Sequence, residues 1–212
     1  MWVSDSFDQH AIRYEAWFEK HQNAYQAEVR ALTQLMPATA VAVEIGVGTG
    51  RFAVPLGIRL GVDPSSAMLL RARERGVEAV LGVGEHLPFA DSSFDLVLMV
   101  TTVCFLDDVR RAFLETHRIL RPRGSIIVGL VDRESPVGKQ YQERQSESVF
   151  YRLATFFSVD DIVSLLRCAG FQAFEHRQTL FGAPTETPAS EPVKSGYGEG
   201  SFAVVRALSS GG

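Results

Sequence analysis

Cysteine is scarce in this chain: Cys104 and Cys168 are the only two in 212 residues. Two cysteines argue against a disulfide framework or a cysteine zinc site. Long apolar runs are also missing. No stretch of about 18 apolar residues occurs, so no membrane-spanning helix is expected. The N-terminus has no basic segment leading into an apolar stretch, and a cytoplasmic location is the default expectation. Positive charge is not in excess either. Lys and Arg number 21 against 25 Asp and Glu, a formal net charge of −4, which offers nucleic acid no general attraction. Arg118, Arg121 and Arg123 lie close enough together for a local basic patch only. His10 and His21 stand alone, without paired ligand spacing, and no metal is assigned to them. No internal repeat appears, and the sequence carries no reading of oligomeric state.

What is present is the composition of a globular domain, 46% hydrophobic and 22% charged, long enough to bury a substantial core. From about Gln9 to Leu35, Ile12, Trp17, Tyr25, Val29 and Leu32 recur at amphipathic helical spacing, interrupted near His21 to Asn23. Pro37 and Thr39 mark a break. Nearly continuous apolar runs at Val41 to Ile45, Ile58 to Val62, Ala79 to Leu81, Leu96 to Val100 and Ser125 to Val131 read as buried parallel strands. Ser66 to Arg75 and Val109 to Leu120 read as intervening helices, the first capped by Ser65 or Ser66. Glu134 to Ala154 is polar, with scattered aromatics, and suggests helices or a lid. Ser158 and Asp161 stand at capping-box spacing before Ile162, Leu165 and Leu166, with Gly170 ending that helix. Phe171 to Leu180 and Phe202 to Leu208 can pair as an antiparallel hairpin around a long Pro-, Glu-, Ser- and Gly-rich connection, Gly182 to Gly200, expected to be functional or mobile.

The densest chemistry lies at the end of the first strand, where Glu44 precedes a loop carrying Gly46, Gly48 and Gly50. Glycine lets the chain turn sharply and lets a ligand approach the backbone. A dinucleotide fingerprint needs a different third-glycine spacing, and a carboxylate here repels diphosphate while attracting an ammonium or sulfonium group. A nicotinamide oxidoreductase is therefore disfavoured.

These residues resemble the first motif of the class I S-adenosylmethionine-dependent methyltransferases, in particular the small type-11-like family. Gly61 to Ser65, Gly84 to Phe89, Ser93 to Val97 and Arg118 to Gly124 are similar to that family's later strand motifs, in order. The resemblance implies a doubly wound, seven-stranded, mostly parallel α/β sheet with a C-terminal antiparallel hairpin in a single domain. Residues 1–36 would be a helical cap, 40–131 the cofactor-binding core, 132–157 a lid or substrate segment, and 158–212 the last helix and hairpin. It also implies S-adenosylmethionine as cofactor, S-adenosylhomocysteine as product and a small-molecule methyl acceptor. Glu44 would take the methionine amino group and Asp63 the ribose hydroxyls. Pro64 and Met68 would wall the adenine, Gly84 would meet a ring nitrogen through its amide, and Tyr14 would close over the cofactor. Val83 departs from the family, standing where relatives carry an adenine-binding aspartate. Glu85 is either an adenine acceptor or a capping acid. Thr49 is read as bonding within the loop, Thr101 as touching the cofactor and Thr102 as facing substrate. Tyr14 and Thr102 are the weak catalytic candidates. Cys104, between Val103 and Phe105, reads as buried rather than nucleophilic, and Asp132, Arg133 and Glu134 as substrate-facing or solvated. A non-catalytic sensor of S-adenosylmethionine or its product is the alternative function.

Overall fold

The computed structural model describes residues 3–38 and 41–210, so Thr39 lies outside the described residues. Two helices lead, α1 (Val3–Lys20) and α2 (Gln22–Thr33). They part at His21, where the backbone leaves helical geometry (φ −117°, ψ 43°), within the interruption expected from the sequence. The buried face is the one the apolar spacing marks except at Ile12: Leu32 is in the core, with Trp17, Tyr25 and Val29 packed against it. Ile12 is 75% exposed, whereas Phe18, Ala24, Ala27, Ala31 and Leu32 are buried. α1 is kinked at His10 (φ −125°), which breaks the single periodicity that placed Ile12 inward, and the small alanines let α2 lie close to the sheet.

Alternating elements follow: β1 (Ala42–Ile45), β2 (Leu60–Asp63), α3 (Ser66–Glu74), β3 (Glu78–Leu81), β4 (Phe94–Val100), α4 (Val109–Ile119), β5 (Leu120–Val131), α5 (Pro136–Glu143), α6 (Val159–Cys168), β6 (Phe171–Thr179), β7 (Lys194–Ser195) and β8 (Phe202–Ser209). One sheet holds all eight strands in the order β3-β2-β1-β4-β5-β8-β6-β7. The first five are parallel, and β8 lies antiparallel between β5 and β6. This is the expected seven-stranded sheet plus the two-residue β7, which pairs with β6.

Both faces of the sheet are covered, which explains the continuous apolar runs. Along β4, Val97 and Met99 pack with Phe113 of α4 and Ile162 of α6. Leu96, Leu98 and Val100 point to the opposite face, with Ala27, Leu32 and Leu69. Strand order reverses between β1 and β4, opening a crevice at their carboxyl ends.

The Gly182 to Gly200 connection, expected to be functional or mobile, is fastened at several points. Thr187 and Glu191 accept through their carbonyls from Asn23 Nδ2 and Arg30, both at 2.9 Å. Thr179 Oγ1 donates to the Pro192 carbonyl at 2.8 Å. It therefore straps over α2. The capping box of α6 is also formed, Ser158 Oγ accepting from Asp161 N (3.2 Å) and Asp161 Oδ2 from Ser158 N (2.9 Å). Ser158→Ala should cost about 1 kcal/mol of stability in urea unfolding; an unchanged midpoint would remove the box from the account.

Candidate active site

The loop after β1 is clamped to the end of β2. Gly46 N and Val47 N both donate to the Val62 carbonyl, at 2.8 and 3.0 Å. Asp63 then reaches back, Oδ2 accepting from Gly48 N and Oδ1 from Ser65 N, each at 2.9 Å. Ser65 caps α3 by accepting from Met68 N (3.2 Å) and donates its hydroxyl to Asp8 of α1 (2.6 Å). Gly46 has φ +73°, and a Cβ there would lie 2.3 Å from Thr102 Oγ1, so both backbone conformation and space demand glycine. At Gly48 (φ +52°) the nearest atom to a Cβ would be the Tyr14 hydroxyl at 3.6 Å, leaving that backbone open to whatever lies under Tyr14.

Thr49 does not bond within the loop. Its hydroxyl donates to Glu15 of α1, a carboxylate that also pairs with Arg51 and Arg75. Thr49 is fully buried, and an inward hydroxyl finds its partner on the helix packed above. The loop is thereby held from below by Val62 and Asp63 and from above by Glu15.

Against this loop lies a cavity of about 180 Å³. Tyr14, Gly46, Gly48, Asp63, Pro64, Met68, Gly84, Glu85, Thr101 and Thr102 all line it, so ten positions picked from the sequence converge. Gly50 does not line it, and neither does Glu44. Glu44 sits beneath the loop at 1% exposure, its Oε2 without a partner, and the Ala53 amide bonds to the carboxylate. Glu85 directs Oε1 to the amides of Asp107 and Asp108, at 2.9 and 3.2 Å, and so holds the turn before α4. Val83 is 42% exposed on the wall. Phe7, Phe105 and Leu106 also line it; scattered single apolar residues carry no periodic signal that would have marked them.

Both threonines line the smaller cavity, but only Thr101 also reaches a second one, so the residue expected to face substrate does not. Thr102 donates its hydroxyl to the carbonyls of Ile45 and Val100, both at 3.1 Å, and packs under Gly46. Its donor is spent on the strand ends and it lines only this cavity. Thr101, in left-handed conformation (φ +51°), borders both this cavity and a second one of about 570 Å³. Phe7, Tyr14 and Phe105 are the other shared walls.

Elements outside the strand core build most of the second cavity: α1 and α2, the segment from Val137 to Tyr151, and Ala183 to Thr185 of the strap, with Val131 of β5 and Thr101 at its floor. Nine of its lining residues are aromatic, among them Trp17, Tyr141, Phe150 and Tyr151. Glu28, 5% exposed, is its one buried carboxylate. Its sequence signal was faint: it stands four residues after Ala24 and three before Ala31, on the buried stripe of α2. Asp132, Arg133 and Glu134 do not line either cavity. Asp132 is buried and accepts from Glu134 N (3.0 Å), while Arg133 pairs with Glu134 and Asp161; these charges fasten β5 to α5 and α6. Cys104 donates its thiol to the Thr101 carbonyl at 3.4 Å, and burial pushes it up to about 12, so it stays a thiol.

Burial without compensating cations drives the site's acids upward. Asp63 is pushed up to about 6 by burial, against the opposing bonds from Ser65 and Gly48. Glu44 is raised well above its ordinary value, by burial and then by the Asp63 charge. Tyr14 is raised by burial and then by Glu44 and Asp63, so its phenol stays protonated and keeps its hydroxyl proton to donate. Glu28 is pushed up to about 8 by burial alone. Such a site favours a ligand bearing positive charge. Among the described residues no group of three or more His, Cys, Asp and Glu gathers around a common point, and no helix is long and apolar enough to cross a membrane.

Known proteins similar to this chain place it in a family. The methyltransferase-domain family model matches residues 43–128. A crystal structure of an S-adenosylmethionine-dependent methyltransferase from Thermotoga maritima, described as a possible histamine N-methyltransferase, is 50% identical with a TM-score of 0.95, covering 97% of this chain and 99% of that one. An uncharacterized protein of Methanocaldococcus jannaschii is 39% identical over 95% of this chain and 97% of its own length. One from Mycobacterium tuberculosis is 38% identical over 86% of this chain, which spans 65% of that longer protein. The chain belongs to the class I S-adenosylmethionine-dependent methyltransferases.

The carboxylate shifts have a measurable sign. Glu28 has its folded value raised from an ordinary 4.5 to about 8, so the stability of its neutral form is intact below the ordinary value and is lost as pH rises through the folded one. His21, lowered by burial, Arg13, and the exposed Arg144–Glu147 pair share its cavity. In the ligand-free protein, Glu28→Gln should therefore gain melting temperature over wild type progressively between about pH 5 and 8. Parallel melting profiles across that range would contradict this assignment.

Proposed function

We infer that this methyltransferase holds S-adenosylmethionine in the smaller cavity and a small-molecule acceptor in the larger one, with transfer across the shared wall at Thr101. The observation that carries the reading is the meeting of the two cavities at Thr101, Tyr14, Phe7 and Phe105. When bound, the cofactor supplies a methyl group already activated on a sulfonium.

Asp63 fits the ribose. Each of its oxygens spends one lone pair on a backbone amide, leaving a second on each for a hydroxyl. Glu44, with an unpartnered buried oxygen beneath the loop, supplies negative potential toward the methionine ammonium rather than a wall of the cavity. Pro64, Met68, Val83 and Leu106 give the adenine end an apolar lining. With Val83 in place of an acid and Glu85 committed through Oε1 to the turn before α4, adenine is left to backbone groups such as the Gly84 amide. Tyr14 bridges both ligands and donates from its phenol.

The helical cap, the segment at 132–157 and the strap together form the acceptor chamber around the cofactor-binding core. They exclude water and align acceptor with methyl, and for an activated donor alignment supplies much of the rate. A sensor that only bound the cofactor would have no use for a second, aromatic chamber opening on its reactive end. Two measurements test the reading. Asp63→Ala should weaken S-adenosylhomocysteine binding by about 100-fold or more in calorimetry, through loss of hydrogen bonds to a charged group; unchanged affinity removes Asp63 from the ribose. Methyl-labelled S-adenosylmethionine incubated with a broad pool of small metabolites should label a discrete acceptor, and failure to label any would favour the sensor.

A further inference from the structure

Glu28 is unexplained by cofactor binding. It lines only the larger cavity, 5% exposed, and among the described residues no hydrogen-bond donor or cation reaches its carboxylate. Burial alone moves its titration. It shares the cavity lining with Tyr14, Trp17, Tyr141 and Tyr151, whose phenols its ionised form would raise. The cavity's cations do not serve it. Arg13 and Arg144 are exposed, Arg144 paired with Glu147 at 3.2 Å, and burial lowers the titration of His21, disfavouring its charged form.

A buried carboxylate left without a partner is unfavourable unless a ligand completes it. Aromatic walls with a single acid form a receptor for an organic cation, the rings attracting it through their faces and the acid through a charge-assisted hydrogen bond. We propose that Glu28 is the acceptor-selecting residue of this enzyme and that the acceptor is a small amine docked as its ammonium on the Glu28 carboxylate. Alcohols and carboxylic acids of the same shape can make only a neutral hydrogen bond to the protonated Glu28, or meet like charge, and so bind more weakly than the charge-assisted amine. No covalent step is assigned to Glu28. It acts by holding one end of the acceptor, so that the other end is presented at Thr101. Because Glu28 carries a proton in the empty chamber at neutral pH, docking an ammonium expels that proton to solvent.

This rests on the two-cavity reading, and the experiment separates the two. Calorimetry on the protein loaded with S-adenosylhomocysteine would compare a panel of aromatic and aliphatic monoamines, headed by 2-phenylethylamine, with the matching alcohols and carboxylic acids. At pH 7, in two buffers of different ionisation enthalpy, at least one amine should bind about tenfold or more tighter than its alcohol and release close to one proton. Glu28→Gln should bind S-adenosylhomocysteine as wild type does, lose the preference and release no proton. No amine preference in wild type, or a preference and proton release that survive in Glu28→Gln, would overturn the proposal. Failure of wild type to bind S-adenosylhomocysteine would instead overturn the cofactor reading beneath it.

Discussion

The site depends on the carboxylate of Asp63, which ends β2 and accepts from both Gly48 N and Ser65 N. Through the first bond it fixes the glycine loop that follows β1; through the second it fixes the start of α3, which Asp8 of α1 also caps. Three elements distant in sequence are thus referred to one side chain. The arrangement leaves that side chain buried and short of cations, and its raised titration follows from burial. The acid that organises the cofactor end is accordingly the one a polar ligand can relieve.

The same constraint extends outward. Glu44 below the loop and Glu28 in the larger chamber are also buried acids without ion-pair partners, whereas Glu15, equally enclosed, is satisfied by Arg51 and Arg75 and is lowered by them. Glu15 braces the loop structurally. Of the uncompensated acids, Asp63 and Glu28 line cavities, while Glu44 lies directly beneath the glycine loop. Folding tolerates them because the sheet above and below is dry and fully packed, with Val43, Val62, Leu96, Leu98, Ile126 and Val128 at or near zero exposure.

Much of this was legible from the sequence where local pattern and position coincide. The continuous apolar strands, the glycine loop, Asp63 at a strand end and the α6 capping box are each set by backbone rules acting over a few residues. What escaped depends on tertiary placement. The partner of Thr49 lies on α1, Thr101 rather than Thr102 borders both cavities from a left-handed backbone, and β7 exists because the strap is drawn against β6. Glu28 was hidden because an acid on a helix normally reads as solvated, and only the packing of α2 turns it inward.

The central claim is that two chambers share one wall, with the cofactor's reactive end at Thr101. A crystal structure of the protein with S-adenosylhomocysteine tests it most directly. The account predicts adenosine between Asp63, Met68 and Val83, the homocysteine end under Tyr14 at the glycine loop, and the sulfur turned toward Thr101 and the aromatic chamber. A ligand seated elsewhere, or one whose sulfur is walled off from that chamber, would contradict it.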